Sequence, residues 1–526
     1  MTKRLVCWLL LGSMLCMGLA AGAKNILVMD HIQVFGTIDP ARGTDYTETY
    51  AMLNVYDPLL FPNAKGELQP HLATAWTVTA DGLSYTFTIR EGVRFHDGSL
   101  LTAEDVKFSF DRIMALQDGF SWLWSGLIEQ VTVDDTYVVS FHLTEPFAPF
   151  TATLPWLFIV NKDLLMENAV PGDYGEFMDY GSEWLNAATS EDAGSGPYSL
   201  KSWDRGREIV FERVEDYWAG WPKGDASVDE VHSMMITESA TVLTMMRKGE
   251  LTLTDYYRGY TEYEEMAKAD NVVLVESPST EVISFKLNTK VAPTDDIHIR
   301  KMLAYAFDYA TMTDQLEPGS TLALGPVAPN VPGHNPNLFQ YAFDLDKARE
   351  ELEQSSYYPD VPTIQLVTPQ FGESRRNASL RLKELVETLG VNVEIRLEPW
   401  GRMTELASTV ESTPNIMLIS VLANYPDADS YLYGMYHSDA AGTWMSTEWL
   451  LDPEVDRLIT ESRKVVDPVE RTALLYEVQE LITGQVPDVY MNVMPIRVAM
   501  QDFLKGFTPR PIGTYFYYFR DWWYEN

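Results

Sequence analysis

The chain has 526 residues, 46% of them hydrophobic and 22% charged, with a formal net charge of −37. That length exceeds what one hydrophobic core serves, so two or three domains of ordinary globular composition are expected. The acidic balance argues against nucleic acid or an anionic membrane surface as partner, since both need basic patches, and fits a well-solvated surface.

Residues 1–23 read as a cleaved export signal. Lys3 and Arg4 give a basic start, residues 5–19 are apolar but too short for a stable membrane span, and Ala21-Gly22-Ala23 is a small-residue cleavage site. A lipid anchor through Cys16 is the alternative; Leu15 stands against it, where a small residue is expected. Both cysteines, Cys7 and Cys16, lie in this segment. The remaining chain therefore offers no disulfide, thiol nucleophile or thiolate metal site.

Ile26, Val28 and Met29 suggest an opening strand, and Ile38-Asp39-Pro40 a turn. Residues 76–110 are the most regular stretch. Tyr85, Phe87 and Ile89 alternate with polar residues, the period of a half-buried strand, between the turn pairs Asp81-Gly82 and Glu91-Gly92. A second short strand is expected at 93–95, followed by a turn at His96-Asp97-Gly98. Thr102 stands three residues before Asp105, a variant capping box, and Val106, Phe110 and Ile113 give the helix it opens one apolar face.

Residues 131–143 read as a hairpin turning at Asp134-Asp135. Residues 237–249 read as a helix with Ala240, Leu243 and Met246 inward, closed by Gly249. Residues 284–288 form a strand. From 362 to 421 the pattern is strand, helix, strand, helix, strand, which implies parallel pairing through right-handed crossovers. Asp467 and Pro468 open a last helix at 469–483.

Ala75-Trp76, Asp81-Gly82, the YTFTIR run, Gly92-Val93-Arg94-Phe95-His96-Asp97-Gly98 and Thr102-Ala103-Glu104-Asp105-Val106 carry a resemblance. In that order they look like the signature of the extracellular solute-binding proteins of peptide- and nickel-type ABC importers (family 5, oligopeptide/dipeptide-binding-protein-like). Leu100 departs from the pattern, at a turn where the family often has proline. Gly194-Ser195-Gly196-Pro197-Tyr198 resembles the family's GTGPY turn, Asp216-Tyr217-Trp218 the end of its NPDYW, and Ala423-Asn424-Tyr425-Pro426-Asp427 its ADYPD.

The resemblance covers essentially the whole chain after the export signal. It implies an α/β, two-lobed periplasmic-binding-protein-like fold with an extra small domain inserted in lobe one. The implied division is lobe one at 24–54, 194–277 and 488–526, the inserted small domain at 55–193, and lobe two at 278–487. It also implies a periplasmic, monomeric, non-enzymatic protein, with a small solute, an ABC permease and its ATPase as partners.

The residues themselves offer no active site. HExxH, GxSxG, a dinucleotide loop and a P-loop are all missing from the sequence. The eight histidines show no metal-ligand spacing, so no metal or cofactor is expected. Asp427 and Asp429 could pair for calcium or acid–base work, but a calcium loop's glycine and downstream glutamate are missing, and a strand-end turn fits better.

Site residues come only from the resemblance. It places Thr44, Tyr46, Trp122, Arg376, Trp400, Asn424 and Tyr490 at a solute cleft between the lobes. In peptide-binding members the aspartate of ADYPD holds the ligand's ammonium. Here the residue is Asn424, whose neutral amide cannot supply a charge-assisted bond. A modified peptide, an oligosaccharide or another polar organic solute therefore stays open beside a plain peptide. A secreted hydrolase of the glycosidase kind is the class-different alternative, and a peptide-holding chaperone is a third.

Overall fold

The structure, a computed structural model, describes residues 24–370, 372–510 and 512–525. Residues 1–23, expected to be an export signal and holding both cysteines, lie outside the described residues. The molecule is built on two long antiparallel strands, Val272–Leu287 and Asp488–Gln501. They pair from Val272 opposite Gln501 to Lys286 opposite Asp488, with a register slip between Pro278 and Val282. At the slip Pro278 faces Pro495. Neither proline has an N–H, so the ladder cannot close there, and the strand pair has a built-in weak point.

The two halves of this pair belong to different lobes. The near half joins lobe one through single bridges from Leu253 to Met500 and to Met29. There Ile26–His31, Glu230–Met235, Glu208–Arg213 and Tyr198–Asp204 make a four-stranded sheet in that order. The far half pairs with Ile416–Val421. Ile364–Pro369 and Val393–Glu398 continue that sheet with parallel partners, as the strand–helix pattern predicts, and Glu373–Thr388 is the helix between them.

The small domain is an antiparallel sheet of Ala73–Val78, Ser84–Ile89, Val138–Leu143 and Ile128–Asp135, covered by the helix Ala103–Leu116. The predicted capping box forms: Asp105 accepts from the Thr102 backbone N–H at 2.9 Å. Phe141 stands edge-on to both Phe87 and Phe110, at 5.7 and 5.4 Å, and locks helix to sheet.

Three local expectations shift. The strand at 93–95 reduces to one bridge between Arg94 and Leu100, because the tight turn at 96–98 leaves no room for a ladder. The hairpin turns at Thr136-Tyr137 rather than Asp134-Asp135, since both aspartates stay in the strand Ile128–Asp135. The helix Ser239–Lys248 buries Val242 and Met246, while Ala240 is exposed.

Lobe one and the small domain share one continuous core, which runs from Leu27 through Phe87 and Trp156 to Trp522. Lobe two has its own two clusters, one on each face of its sheet. The small domain is also pinned by an ion pair. Arg112, on its helix, donates from both Nη atoms to Asp39 at 2.6 Å each, with both side chains buried. The turn at Ile38-Asp39-Pro40 is the seat of that arginine. Mechanically, then, the chain is two bodies: lobe one with the small domain, and lobe two.

Candidate ligand cleft between the lobes

Lobe one presents an aromatic wall. Its anchor is Asp255, which is buried and fully engaged by the protein. It accepts from the Tyr46 hydroxyl, from the Ile32 N–H at 3.1 Å and from the Tyr257 N–H at 2.7 Å. Asp30 holds the same loop by accepting from Arg258 Nε at 2.9 Å and from the Asp255 N–H at 3.0 Å. So tied, Tyr46 stands edge-on to Tyr257 at 4.9 Å and to Tyr256 at 5.5 Å, and Tyr256 meets Phe516 at 5.1 Å. Tyr46, Tyr256 and Tyr257 remain half-buried, the exposure of a wall rather than a core.

The joint and lobe two present charge. Glu281 lies on a crossing strand within the slip, and Arg375 in the first turn of Glu373–Thr388 donates to it at 2.9 Å. Arg375 also reaches Ser420 Oγ at 3.3 Å. Arg375 follows the carboxyl end of Ile364–Pro369, where open α/β sheets place their ligands. Beside this pair, Arg497 bridges Glu276 at 2.5 Å and Glu317 at 3.6 Å. Burial pushes the Glu317 carboxyl up, and Ser374, Arg497 and Arg375 only partly oppose it.

The two bodies touch across the cleft. Trp156 of the small domain donates its indole N–H to the Asn424 carbonyl. The Ala148 N–H donates to the Arg463 carbonyl at 2.7 Å, and the Arg463 guanidinium lies over the Phe147 and Tyr433 rings at 4.7 and 4.0 Å. Lys464 pairs with Glu145 at 2.6 Å. Tyr425, next to Asn424, packs into the core shared by lobe one and the small domain.

Of the seven residues expected at the cleft, Tyr46 stands in the wall and Asn424 in the contact between the bodies. Asn424 donates its N–H to Ser430 Oγ at 2.8 Å, so both of its backbone groups are committed. Thr44 is exposed and gives its N–H to Glu48 at 3.0 Å, in the turn that caps the helix Tyr46–Val55. Trp122 is 50% exposed, while Trp124 is the buried one and donates to Thr153 at 2.8 Å. Arg376 points to solvent; Arg375 is the inward arginine, one residue and about 100° round the helix. Trp400 packs edge-on against Trp444 at 5.1 Å. Tyr490 faces the lobe-two core, its hydroxyl 2.9 Å from that of Tyr436, and not the joint.

Asp427 and Asp429 are both engaged by arginines. Arg471 donates to Asp427 with two bonds of 2.7 Å, and Arg463 lies 3.4 Å from Asp429. Sequence reasoning passed over Glu281, Arg375, Tyr256, Tyr257 and Trp156.

Two lobes on a strand joint, facing each other across a charged and aromatic cleft, define a receptor of the periplasmic-binding-protein class. The profile of the bacterial extracellular solute-binding proteins, family 5 Middle, matches residues 67–443, and the chain belongs to that family. It is the solute-capturing component of an ABC importer and not an enzyme. The probable D,D-dipeptide-binding periplasmic protein DdpA of Escherichia coli K12 is 25% identical over 504 residues, covering 94% of this chain and 93% of that one. The glutathione-binding protein GsiB of Salmonella typhimurium is 25% identical over 501 residues, with the same coverage of 94% and 93%. Among solved structures, the periplasmic binding protein DppA of Helicobacter pylori, in complex with the peptide STSA, superposes with a TM-score of 0.79 at 25% identity, covering 96% and 98% of the two chains.

Proposed function

We propose that this chain is a periplasmic receptor, exported by a cleaved signal at residues 1–23, that captures a peptide-like or other polar organic solute by closing its lobes. The observation that carries this reading is the strand joint. Two crossing strands with facing prolines connect two bodies whose opposed surfaces are a tyrosine wall and an arginine–carboxylate pair. Hinge closure around a solute is the motion such a joint permits. The closed form is then what the permease and its ATPase meet. The division at residues 55, 194, 278 and 488 belongs to the same proposal. Tyr46 and Asn424 are the ligand contacts we retain from the sequence; Thr44, Trp122, Trp400 and Arg376 sit at the cleft margin in this reading.

The relatives are named for dipeptides and glutathione, which supports a peptide-like solute. Asn424 supports a ligand without an ammonium at that position, and an oligosaccharide is the second reading on the same ground. A thermal-shift screen of residues 24–526 against peptides, amine-blocked peptides, oligosaccharides and nickel chelates tests both. A ligand at a hundred times its Kd stabilises by about 2.7 kcal/mol, which such a screen detects. Asn424→Asp is expected to raise affinity for free-amine peptides about tenfold or more, the worth of a charge-assisted bond. Wild-type protein that already binds ordinary free-amine peptides tightly, with no gain from the aspartate, contradicts the Asn424 argument. Turnover of any screened compound contradicts the receptor reading.

A further inference from the structure

The Glu281–Arg375 pair stands at the base of the cleft with nothing in the receptor fold that requires it. Glu281 is 4% exposed and Arg375 8% exposed. A buried ion pair recovers little net stability against its desolvation, so apolar residues hold a joint equally well. The pair is set between ligand-facing surfaces. Glu281 comes from the crossing strand, Arg375 from the carboxyl end of a lobe-two strand and the helix that follows it, and the half-buried Tyr256 and Tyr257 stand in the lobe-one wall. Burial first, and then neighbouring charge that includes Glu281, pushes both phenols up.

The charge balance has a direction. Glu281 faces Arg375 and Glu276 faces Arg497, with Glu317 a third carboxyl that burial pushes towards its neutral form, so an ammonium arriving here meets carboxylates on both sides of the arginines. Position 424 offers no such charge.

We propose that Glu281 and Arg375 are the two poles of a subsite for an α-amino-acid head group, ammonium to Glu281 and carboxylate to Arg375, the two side chains pairing with each other until the solute parts them. This rests on the receptor reading above. The spacing sets the class. The side chains meet at 2.9 Å, so ligand charges that are close neighbours need the least movement to come between them. In an α-amino-acid head the nitrogen and the carboxyl carbon share one carbon and lie about 2.5 Å apart. Each added peptide unit moves the carboxyl terminus about 3.8 Å further off, so the two termini of even a dipeptide fit the pair poorly. The remainder of the solute extends along the tyrosine wall.

Two isomers separate the cases. γ-Glutamylalanine carries an intact amino-acid head, and α-glutamylalanine has its ammonium and carboxylates on different carbons. Titration calorimetry of residues 24–526 with these two, and with L-alanine, N-acetylalanine, alaninamide and cellobiose, reads the preference in unmodified protein. The γ isomer is expected to bind at least tenfold tighter than the α isomer, and blocking either charge of alanine to cost at least tenfold. Glu281→Gln keeps the shape and removes the charge. It leaves the Arg375 charge buried beside a neutral amide, so its melting temperature is expected to fall, and binding is read well below that temperature, where the γ isomer is expected to weaken at least tenfold; if this variant fails to fold, the isomer preference decides alone. Equal binding of the two isomers, or a γ-isomer affinity within twofold of wild type in Glu281→Gln, overturns the subsite. Binding of cellobiose in their place overturns the subsite and leaves the receptor standing. A panel in which none of the six binds overturns the subsite as well, and the receptor is then judged on the broader screen.

Discussion

Glu448 shows how single side chains govern the chemistry of this chain. Lys286, Glu448 and Asp488 are all buried, with the ammonium 3.3 Å from Glu448 and 3.4 Å from Asp488. Ser284 and Tyr436 donate to Asp488 at 2.7 and 2.8 Å, Tyr490 backs Tyr436, and one oxygen of Glu448 has no partner. One ammonium cannot balance two desolvated carboxylates. Burial pushes Glu448 up from 4.5 to about 8; Lys286 opposes this and Asp488 adds to it. The folded chain thus keeps a proton that the unfolded chain releases. Its stabilising contribution is fully present below pH 4.5 and is lost as the pH rises to about 8. Glu448→Gln, which mimics the neutral acid, is expected to lose less melting temperature than wild type between pH 5 and 8. Scanning calorimetry across that range checks it, and parallel curves for the two proteins contradict it. None of this was legible in the sequence, where the three residues are separated by up to 202 positions with no shared motif.

At the scale of elements, legibility followed locality. The capped helix Ala103–Leu116, the strand Ser84–Ile89 and the parallel unit ending in Ile416–Val421 all stood out, because caps, alternation and apolar runs are properties of neighbours. The strand Val272–Leu287 did not. Its middle reads Glu276, Ser277, Pro278, Ser279, Thr280 and Glu281, which breaks the apolar pattern where the joint needs it broken. Only the residues beyond 283 looked like a strand. Arg376 came from the resemblance alone, which carries no helical phase; the fold turns its neighbour Arg375 inward, and the apolar residues that fix the phase of Glu373–Thr388 begin only at Ala378. The turn at Ile38-Asp39-Pro40 was visible, but its partner Arg112 was not. Arg112→Met leaves the buried Asp39 with only the Ala41 N–H at 3.0 Å and a loose Arg42 contact at 3.9 Å, and is expected to destabilise the chain by about 3–5 kcal/mol. Urea unfolding measures this. A loss below about 1 kcal/mol means that the pair does not hold the small domain to lobe one.

For the whole molecule, the account makes the lobe joint and the contacts across the cleft one two-state device. Those contacts differ in weight. Glu145 and Lys464 are nearly half exposed, and such a pair contributes at most about 1 kcal/mol. The Trp156 bond to the Asn424 carbonyl is part-buried between the bodies, so it carries more of the closed form. Trp156→Phe keeps the ring and removes the donor; it is expected to weaken solute binding about fivefold, the worth of one such bond.

The measurement that tests closure directly is the distance between the two bodies. Both cysteines lie in residues 1–23, so in protein comprising residues 24–526 a pair of spin labels at Glu129→Cys in the small domain and Glu387→Cys in lobe two is free of background. With the solute selected by the screen at saturation, the account predicts that the distance distribution narrows to a single short component, and that Trp156→Phe shifts part of it back to longer distances. A distribution that saturating solute leaves unchanged, in a protein that calorimetry shows to be fully bound, contradicts capture by closure.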